Sequence, residues 1–282
     1  MFSYRHAFHA GNHADVLKHL ILVQLCTYMR RKEKGFSYVD THAGAGVYAL
    51  DQGYAAKSGE AGSGILRLWD APRAGMPPLV ADYLDAIASL NPDGQPRFYP
   101  GSPYLVWQLL REQDAMRLFE LHPTEIDILR ENFASAPRRI VIGQTDGFDG
   151  LRAALPPPTR RGVTLIDPSY EDKNDYRRTV QAVVEGLKRF ATGTIAVWYP
   201  LVTRAEARRL PAELEAIQPD GWLHASLAIS APPSGQGLYG SAMFVINPPY
   251  FLGDTLRATL PYLVERLGVD GQASFSLTDR TV

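Results

Sequence analysis

The chain has 282 residues, 45% of them hydrophobic, and a formal charge of −1 from 29 Lys and Arg against 30 Asp and Glu. That length and apolar content fit one large domain with ample core and exclude a disordered or fibrous chain. The single cysteine, Cys26, excludes an internal disulfide and a cysteine-based zinc site, no apolar run approaches bilayer length, and with so little net charge any nucleic-acid-binding surface has to be local.

The N-terminus, Met1-Phe2-Ser3-Tyr4-Arg5-His6, lacks the basic-then-apolar pattern of a secretory signal, so a reducing, cytoplasmic setting is the expectation. Tyr4 to His13 is dense in aromatic and hydrogen-bonding side chains, the composition of a lid that could stack and orient a flipped base. His6, His9, His13 and His19 offer nitrogen ligands, but no carboxylate or cysteine completes a familiar set, and no metal is expected. His13 to Arg31 reads as a helix with Gly35 just past its end, so residues 1–35 form a lid and helix segment. The basic run Arg30, Arg31, Lys32 and Lys34 reads as a solvated helix terminus.

Phe36 to Asp40 is the first predicted strand. It runs into Thr41-His42-Ala43-Gly44-Ala45-Gly46, where glycines let a ligand approach the backbone at a strand-to-helix turn. The Gly-Lys-Ser/Thr of a phosphate-binding loop is missing, which disfavours nucleotide hydrolysis. Residues 51–95 hold Gly and Ser runs and then apolar helical patches (Ile65 to Trp69, Leu79 to Leu90). The gap exceeds one crossover, and the segment reads as a helical insert on the sheet within a single domain spanning 1–282. Further strands are predicted over Met116 to Glu120, Arg139 to Ile142, Val163 to Asp167 and Thr194 to Trp198. Leu223 to Ile229 and Ala242 to Ile246 read as a closing pair. Helices are predicted over Tyr176 to Phe190, Arg204 to Ile217 and Thr255 to Leu267, and Gly271 to Val282 reads as a loose tail. The alternation predicts an α/β fold with a mostly parallel sheet.

Four consecutive strand ends carry Asp40, Glu120, Asp146 and Asp167. Open α/β sheets bind ligands at the carboxyl ends of their strands, and an acid at the second end suits ribose hydroxyls. With glycines at the first end, the set points to an adenosine-containing cofactor. Asp167-Pro168-Ser169-Tyr170 is suited to gripping a planar exocyclic amine. The carboxylate and the Pro168 carbonyl accept its two N–H bonds, and the Tyr170 ring stacks on the base. The combination is that of S-adenosylmethionine chemistry. Asn247-Pro248-Pro249-Tyr250 resembles the same grip, but it follows a closing strand and its Asn is neutral, so it reads as a Pro-stiffened exit from the sheet.

The opening Phe2 to His19, together with Asp40 to Gly46, Tyr99 to Pro103, Phe119 to Pro123 and Ile166 to Glu171, resembles the bacterial 23S ribosomal RNA adenine-N6 methyltransferases of type J. The resemblance covers nearly the whole chain. It implies a class I S-adenosylmethionine-dependent methyltransferase fold, Rossmann-like, with a seven-stranded sheet and an inserted helical subdomain, acting on one adenine of 23S rRNA, adenine 2030. It also implies that Lys18, His19, His42, Ser102, Glu120, Asp146 and Gly147 hold the cofactor, that Asp167 is the catalytic acceptor, and that Tyr4 and His6 meet the substrate adenine. Ser169 stands where many amine methyltransferases have proline; the Pro168 carbonyl survives that change. A monomer with no membrane contact is expected. Two alternatives remain open on the residues alone: an enzyme of the same chemistry acting on DNA adenine or a protein Gln, and a non-catalytic RNA-binding or assembly factor.

Overall fold

In the computed structural model, which describes residues 5–235 and 237–280, α1 (His13–Arg30) runs across the sheet as a core helix. Asn12 caps it by accepting from Ala14 N and Asp15 N at 2.9 and 3.0 Å, which satisfies two of the unpaired first-turn donors. The helix is apolar nearly all round and is buried accordingly. After it come β1 (Ser37–Asp40) and β2 (Val47–Ala49), then the short helices α2 (Gly53–Ser58) and α3 (Ile65–Trp69), α4 (Pro78–Ala88) and β3 (Phe98–Pro100). The chain continues through α5 (Ser102–Leu109), β4 (Ala115–Phe119), α6 (Pro123–Asn132), β5 (Ile140–Gly143), α7 (Gly147–Ala154), β6 (Gly162–Ile166) and α8 (Asn174–Arg189). It ends with β7 (Thr194–Leu201), α9 (Ala205–Glu215), β8 (Trp222–Ala228), β9 (Gly240–Ile246), α10 (Leu252–Leu267) and β10 (Ser274–Arg280).

The main sheet has the order β10-β8-β9-β7-β6-β1-β4-β5. β1 pairs in parallel with both β4 and β6, and β9 joins β7 antiparallel. Strands β1 and β6 are buried along their whole length, as expected of strands covered on both faces. The chain leaves β1 toward β4 and β5 on one side and returns to β6 and β7 on the other. The strand order therefore reverses at β1, the place where open α/β sheets form a crevice. Helices α2 to α4 leave and rejoin the body through a ribbon in which Val47 pairs with Pro100. Ile65, Leu68 and Leu84 share one buried cluster with Leu17 and Leu20 of α1.

Two expectations are corrected. Among the described residues the sheet has eight strands, not seven, and the segment read as a loose tail contains the eighth. β10 pairs antiparallel with β8, Ser274 opposite Ala228 through Arg280 opposite Trp222. Its side chains are almost all exposed, so backbone hydrogen bonds rather than apolar burial hold it, and no hydrophobic pattern announces it. Among the described residues no helix is long and apolar enough to cross a membrane.

Candidate active site

The β1 turn is built around a buried acid. Asp40, 0% exposed, accepts from the Tyr38 and Ser102 hydroxyls at 2.7 Å each, and burial raises its pKa. Gly44 follows with φ +59°, where a Cβ would lie 2.2 Å from the Tyr48 hydroxyl; only glycine fits. Its N–H donates to Glu120 Oε2 at 2.8 Å, and His122 N–H donates to Glu120 Oε1 at 2.7 Å. Glu120 thus ties the β1 turn to the β4 turn, and burial raises its pKa.

Asp146 caps α7 by accepting from Phe148 N at 3.0 Å and takes the Arg178 guanidinium at 2.6 Å. A Cβ on Gly147 would lie 1.7 Å from the Thr41 carbonyl oxygen, so the two turns meet at backbone distance. His42 bonds through Nδ1 to the Thr41 hydroxyl at 2.8 Å, and burial pushes its imidazole down to about 4. It is neutral at physiological pH.

At the β6 end, Asp167 meets α1. Lys18 Nζ bridges Asp167 Oδ2 at 2.6 Å and Asp15 Oδ1 at 2.8 Å. Asp15 Oδ2 takes His6 Nε2 at 3.0 Å and the Gly11 N–H at 2.9 Å. Burial works against the Lys18 charge, but the two carboxylates more than offset it and raise its pKa. Burial lifts the Asp167 carboxyl to about 6, and Lys18 limits the rise. Asp167 Oδ1 accepts no hydrogen bond among the described residues.

Two hollows meet at this pair. The first, about 370 Å³, is lined by Lys18, His19, His42, Ser102, Glu120, Asp146, Gly147 and Asp167, all of the expected cofactor residues together with the expected acceptor. The second, about 450 Å³, has walls from Asn12, Tyr170, Tyr176, Trp198 and Arg204. His6, Lys18, Asp167, Ser169 and Glu171 line both. The first hollow fits an adenosine-containing group. It joins the Glu120 carboxylate, the Gly44 and Gly147 turns, and a buried orphan, His19 Nε2, which has no hydrogen-bond partner while its Nδ1 is held by the Tyr99 hydroxyl at 2.7 Å.

Not every expected side chain presents itself as the sequence suggests. Tyr4 lies outside the described residues. Pro168 lines the first hollow. Tyr170 is 2% exposed; its ring packs on Tyr176 at 4.5 Å and its hydroxyl donates to the Trp198 carbonyl at 2.8 Å. Its backbone is left-handed, φ +54°, which costs of order 1 kcal/mol for a non-glycine residue. The ring contacts and an Arg204 bond to the Tyr170 carbonyl at 2.8 Å hold it there. Sequence reasoning missed three residues. Asp15 was legible as an acid three residues before Lys18 on one helix face. Arg178 and Trp198 gave no signal, since only the fold brings them to the site. The N-terminal histidines are dispersed, His6 on Asp15 and His9 on Glu60.

The family model described as ribosomal RNA large subunit methyltransferase D, RlmJ, matches residues 33–278. The chain is 45% identical over 278 residues to ribosomal RNA large subunit methyltransferase J of Haemophilus influenzae, covering 98% of each chain. It is 45% identical over 267 residues to the protein of that name from Escherichia coli, covering 95% of this chain and 94% of the relative. A crystal structure of a protein from Legionella pneumophila superposes with a TM-score of 0.87 at 34% identity, over 96% of this chain and 98% of that one.

Proposed function

The chain belongs to the RlmJ family of ribosomal RNA large subunit methyltransferases, and we propose that it methylates N6 of one adenine of 23S rRNA, adenine 2030. Its fold is that of a class I methyltransferase and its methyl donor is S-adenosylmethionine. The observation that carries the reading is Asp167, placed where the two hollows join, with one oxygen on Lys18 and the other free to accept.

When bound, S-adenosylmethionine supplies an electrophilic methyl group. The chain's own residues have to make a poor nucleophile attack it. The lone pair of an adenine amine is delocalised into the ring. Asp167 Oδ1 and the Pro168 carbonyl accept the two N–H bonds and draw that lone pair out of conjugation. Lys18 keeps Asp167 ionised at neutral pH against the pull of burial, and Asp167 can take the proton released from nitrogen. The remaining contribution is positioning. Glu120, Asp146, Gly147, His42, Ser102, His19 and Lys18 line the donor side. Trp198 offers aromatic surface on the acceptor side, where Tyr4 and His6 of the lid meet the base, and Tyr170 lines the same hollow with its ring packed on Tyr176. Residues 1–35 serve as lid and helix, and residues 51–95 as a helical subdomain within one domain.

The test is radiolabelled methyl transfer to protein-free 23S rRNA, followed by digestion to nucleosides. Label in N6-methyladenosine is expected, with none in Asp167→Ala, whose affinity for S-adenosylmethionine by calorimetry stays within a few-fold of wild type. Label in another nucleoside, or near-wild-type turnover of Asp167→Ala, removes this assignment.

A further inference from the structure

Two features that the active site leaves unused are brought together at the opposite end of the sheet. One is the basic run Arg30, Arg31, Lys32 and Lys34 after α1. The other is the Asn247-Pro248-Pro249-Tyr250 turn after β9. α1 carries Lys18 to the catalytic carboxylate near one end, and thirteen residues later, about 20 Å at 1.5 Å per residue, it delivers Arg31 to the far end. β9 runs antiparallel to β7, so its exit also lies where the parallel strands begin.

The turn is anchored. The Asn247 amide donates to the carbonyls of Ala191 and Gly193 at 2.8 and 2.9 Å, and its backbone has φ +52°. Yet it holds Tyr250 out to solvent at 75% exposure, the highest among the exposed large hydrophobic side chains described. Tyr250 meets Phe251 edge-on at 5.4 Å, and Phe251 meets Tyr28 at 5.4 Å. The Arg31 guanidinium lies 4.3 Å over the Phe251 ring. The basic run is exposed. Its backbone is held by Arg111, which donates to the Arg30 and Lys32 carbonyls at 3.1 and 2.9 Å, and by Arg161, which donates to the Lys34 carbonyl. Among the described residues none of the four cations forms an ion pair with a carboxylate. Glu33 is the one acid within the run.

A solvent-facing aromatic ring on an anchored turn, beside cations without a carboxylate partner, matches single-stranded nucleic acid, whose bases stack on rings and whose phosphates seek cations. A protein partner fits less well, because the exposed apolar area is little more than one ring and its rim of cations would have to be desolvated. We propose that Tyr250, Phe251 and the Arg30–Lys34 run form a second rRNA-binding surface. An unpaired base stacks on Tyr250 and its flanking phosphates lie on the run, about 20 Å from the reacting adenine. The proposal rests on the rRNA reading of the active site. It explains how a chain of formal charge −1 holds a long polyanion: two separated contacts on one strand reinforce each other.

Three variants test it: Tyr250→Ala, Tyr250→Trp, and a fourfold replacement (Arg30→Gln, Arg31→Gln, Lys32→Gln, Lys34→Gln). All the changed side chains are exposed. Methyl transfer to protein-free 23S rRNA is measured across a range of KCl, with RNA binding by fluorescence anisotropy in parallel. Tyr250→Ala is expected to raise KM roughly tenfold with kcat unchanged, and Tyr250→Trp to restore it. The fourfold variant raises KM further and flattens the dependence of log KM on log salt by about 0.7 for each lost phosphate contact. Unchanged KM and salt dependence in both Tyr250→Ala and the fourfold variant overturn the proposal. So does a defect seen only on ribosomal particles, which would place a protein on the patch. If the wild-type chain methylates no RNA, the active-site reading fails by itself. Anisotropy then still decides the patch, by whether the variants lose binding to 23S rRNA.

Discussion

Replacing Lys18 with Met should shift the pH dependence of methyl transfer rather than simply lower its rate. The Asp167 carboxyl sits at about 6 with Lys18 Nζ 2.6 Å away, so about nine-tenths of it is ionised at pH 7. An opposite charge at such range lowers a carboxyl pKa by roughly 1–3. The sign follows: without the cation the ionised, active form is harder to reach, and Asp15, no longer neutralised, repels Asp167 in the same direction. The acid limb of the rate profile then moves from about pH 6 to between roughly pH 7 and 9. The ionised fraction at pH 7 falls to between about one half and one hundredth, and so does the rate. Activity recovers at high pH. Single-turnover transfer measured from pH 5 to pH 10 gives the limb directly. Lys18→Arg keeps the charge and should keep the limb near wild type. Asp15 retains His6 and the Gly11 N–H in the Met variant, and circular dichroism checks that the helix persists. A profile with a lower plateau but the same limb would refute the argument and leave Lys18 a purely steric role.

Glu120→Ala should weaken S-adenosylmethionine affinity by tenfold or more with a smaller change in kcat, since it removes both the proposed ribose acceptor and the anchor of the Gly44 and His122 N–H groups; a turnover defect at unchanged affinity would contradict its role. Gly147→Ala places a methyl group 1.7 Å from the Thr41 carbonyl. The clash is with backbone and cannot be relieved by a rotamer, so a loss of roughly 2–4 kcal/mol in denaturant unfolding and poor cofactor binding are expected. A stability within about 0.5 kcal/mol of wild type would show that the two turns can separate freely.

The central sheet was legible because buried parallel strands are short apolar runs and each ended in an acid. Glu120, Asp146 and Asp167 converge on the first hollow from loops just past their strands, whereas Asp40, the last residue of β1, is buried and bonded to Tyr38 and Ser102. The first hollow was legible for the same reason, since many of its lining residues sit at strand ends. What escaped was what only packing decides. β10 lacks apolar burial and pairs through its backbone. The β2–β3 ribbon that closes the insert is three residues a side, too short for a period to show. Tyr170 was read as a free stacking ring. Its sequence position does not reveal that Tyr176, in the first turn of α8, and the Trp198 carbonyl would bury it. The Arg30–Lys34 run read as an ordinary helix end because Tyr250 and Phe251 come to it only through the exit of β9.

The charges at the junction of the two hollows are unbalanced, and this bears on how the methyl donor is held. Asp15 and Asp167 are two buried acids, and among the described residues Lys18 is the cation that bridges both. The excess negative charge sits partly on Asp167, whose carboxyl is lifted to about 6 as a result of burial that one lysine cannot fully offset. A cation entering the first hollow completes the balance, and S-adenosylmethionine carries one at sulfur, whereas its product S-adenosylhomocysteine does not. Donor affinity should therefore rise with pH through about 6, as Asp167 ionises, and level off above it. The gain between the plateaus should be a few-fold, no more than Asp167→Ala is expected to lose, because a cation that tightens with ionisation must by linkage lower the pKa of the group it faces. Product affinity should stay nearly flat across the same window. In Asp167→Asn the donor's pH dependence should vanish as well. Calorimetric titration of both ligands from pH 5 to pH 8 separates the cases, and equal pH dependence for donor and product would mean that Asp167 does not sense the charge on sulfur.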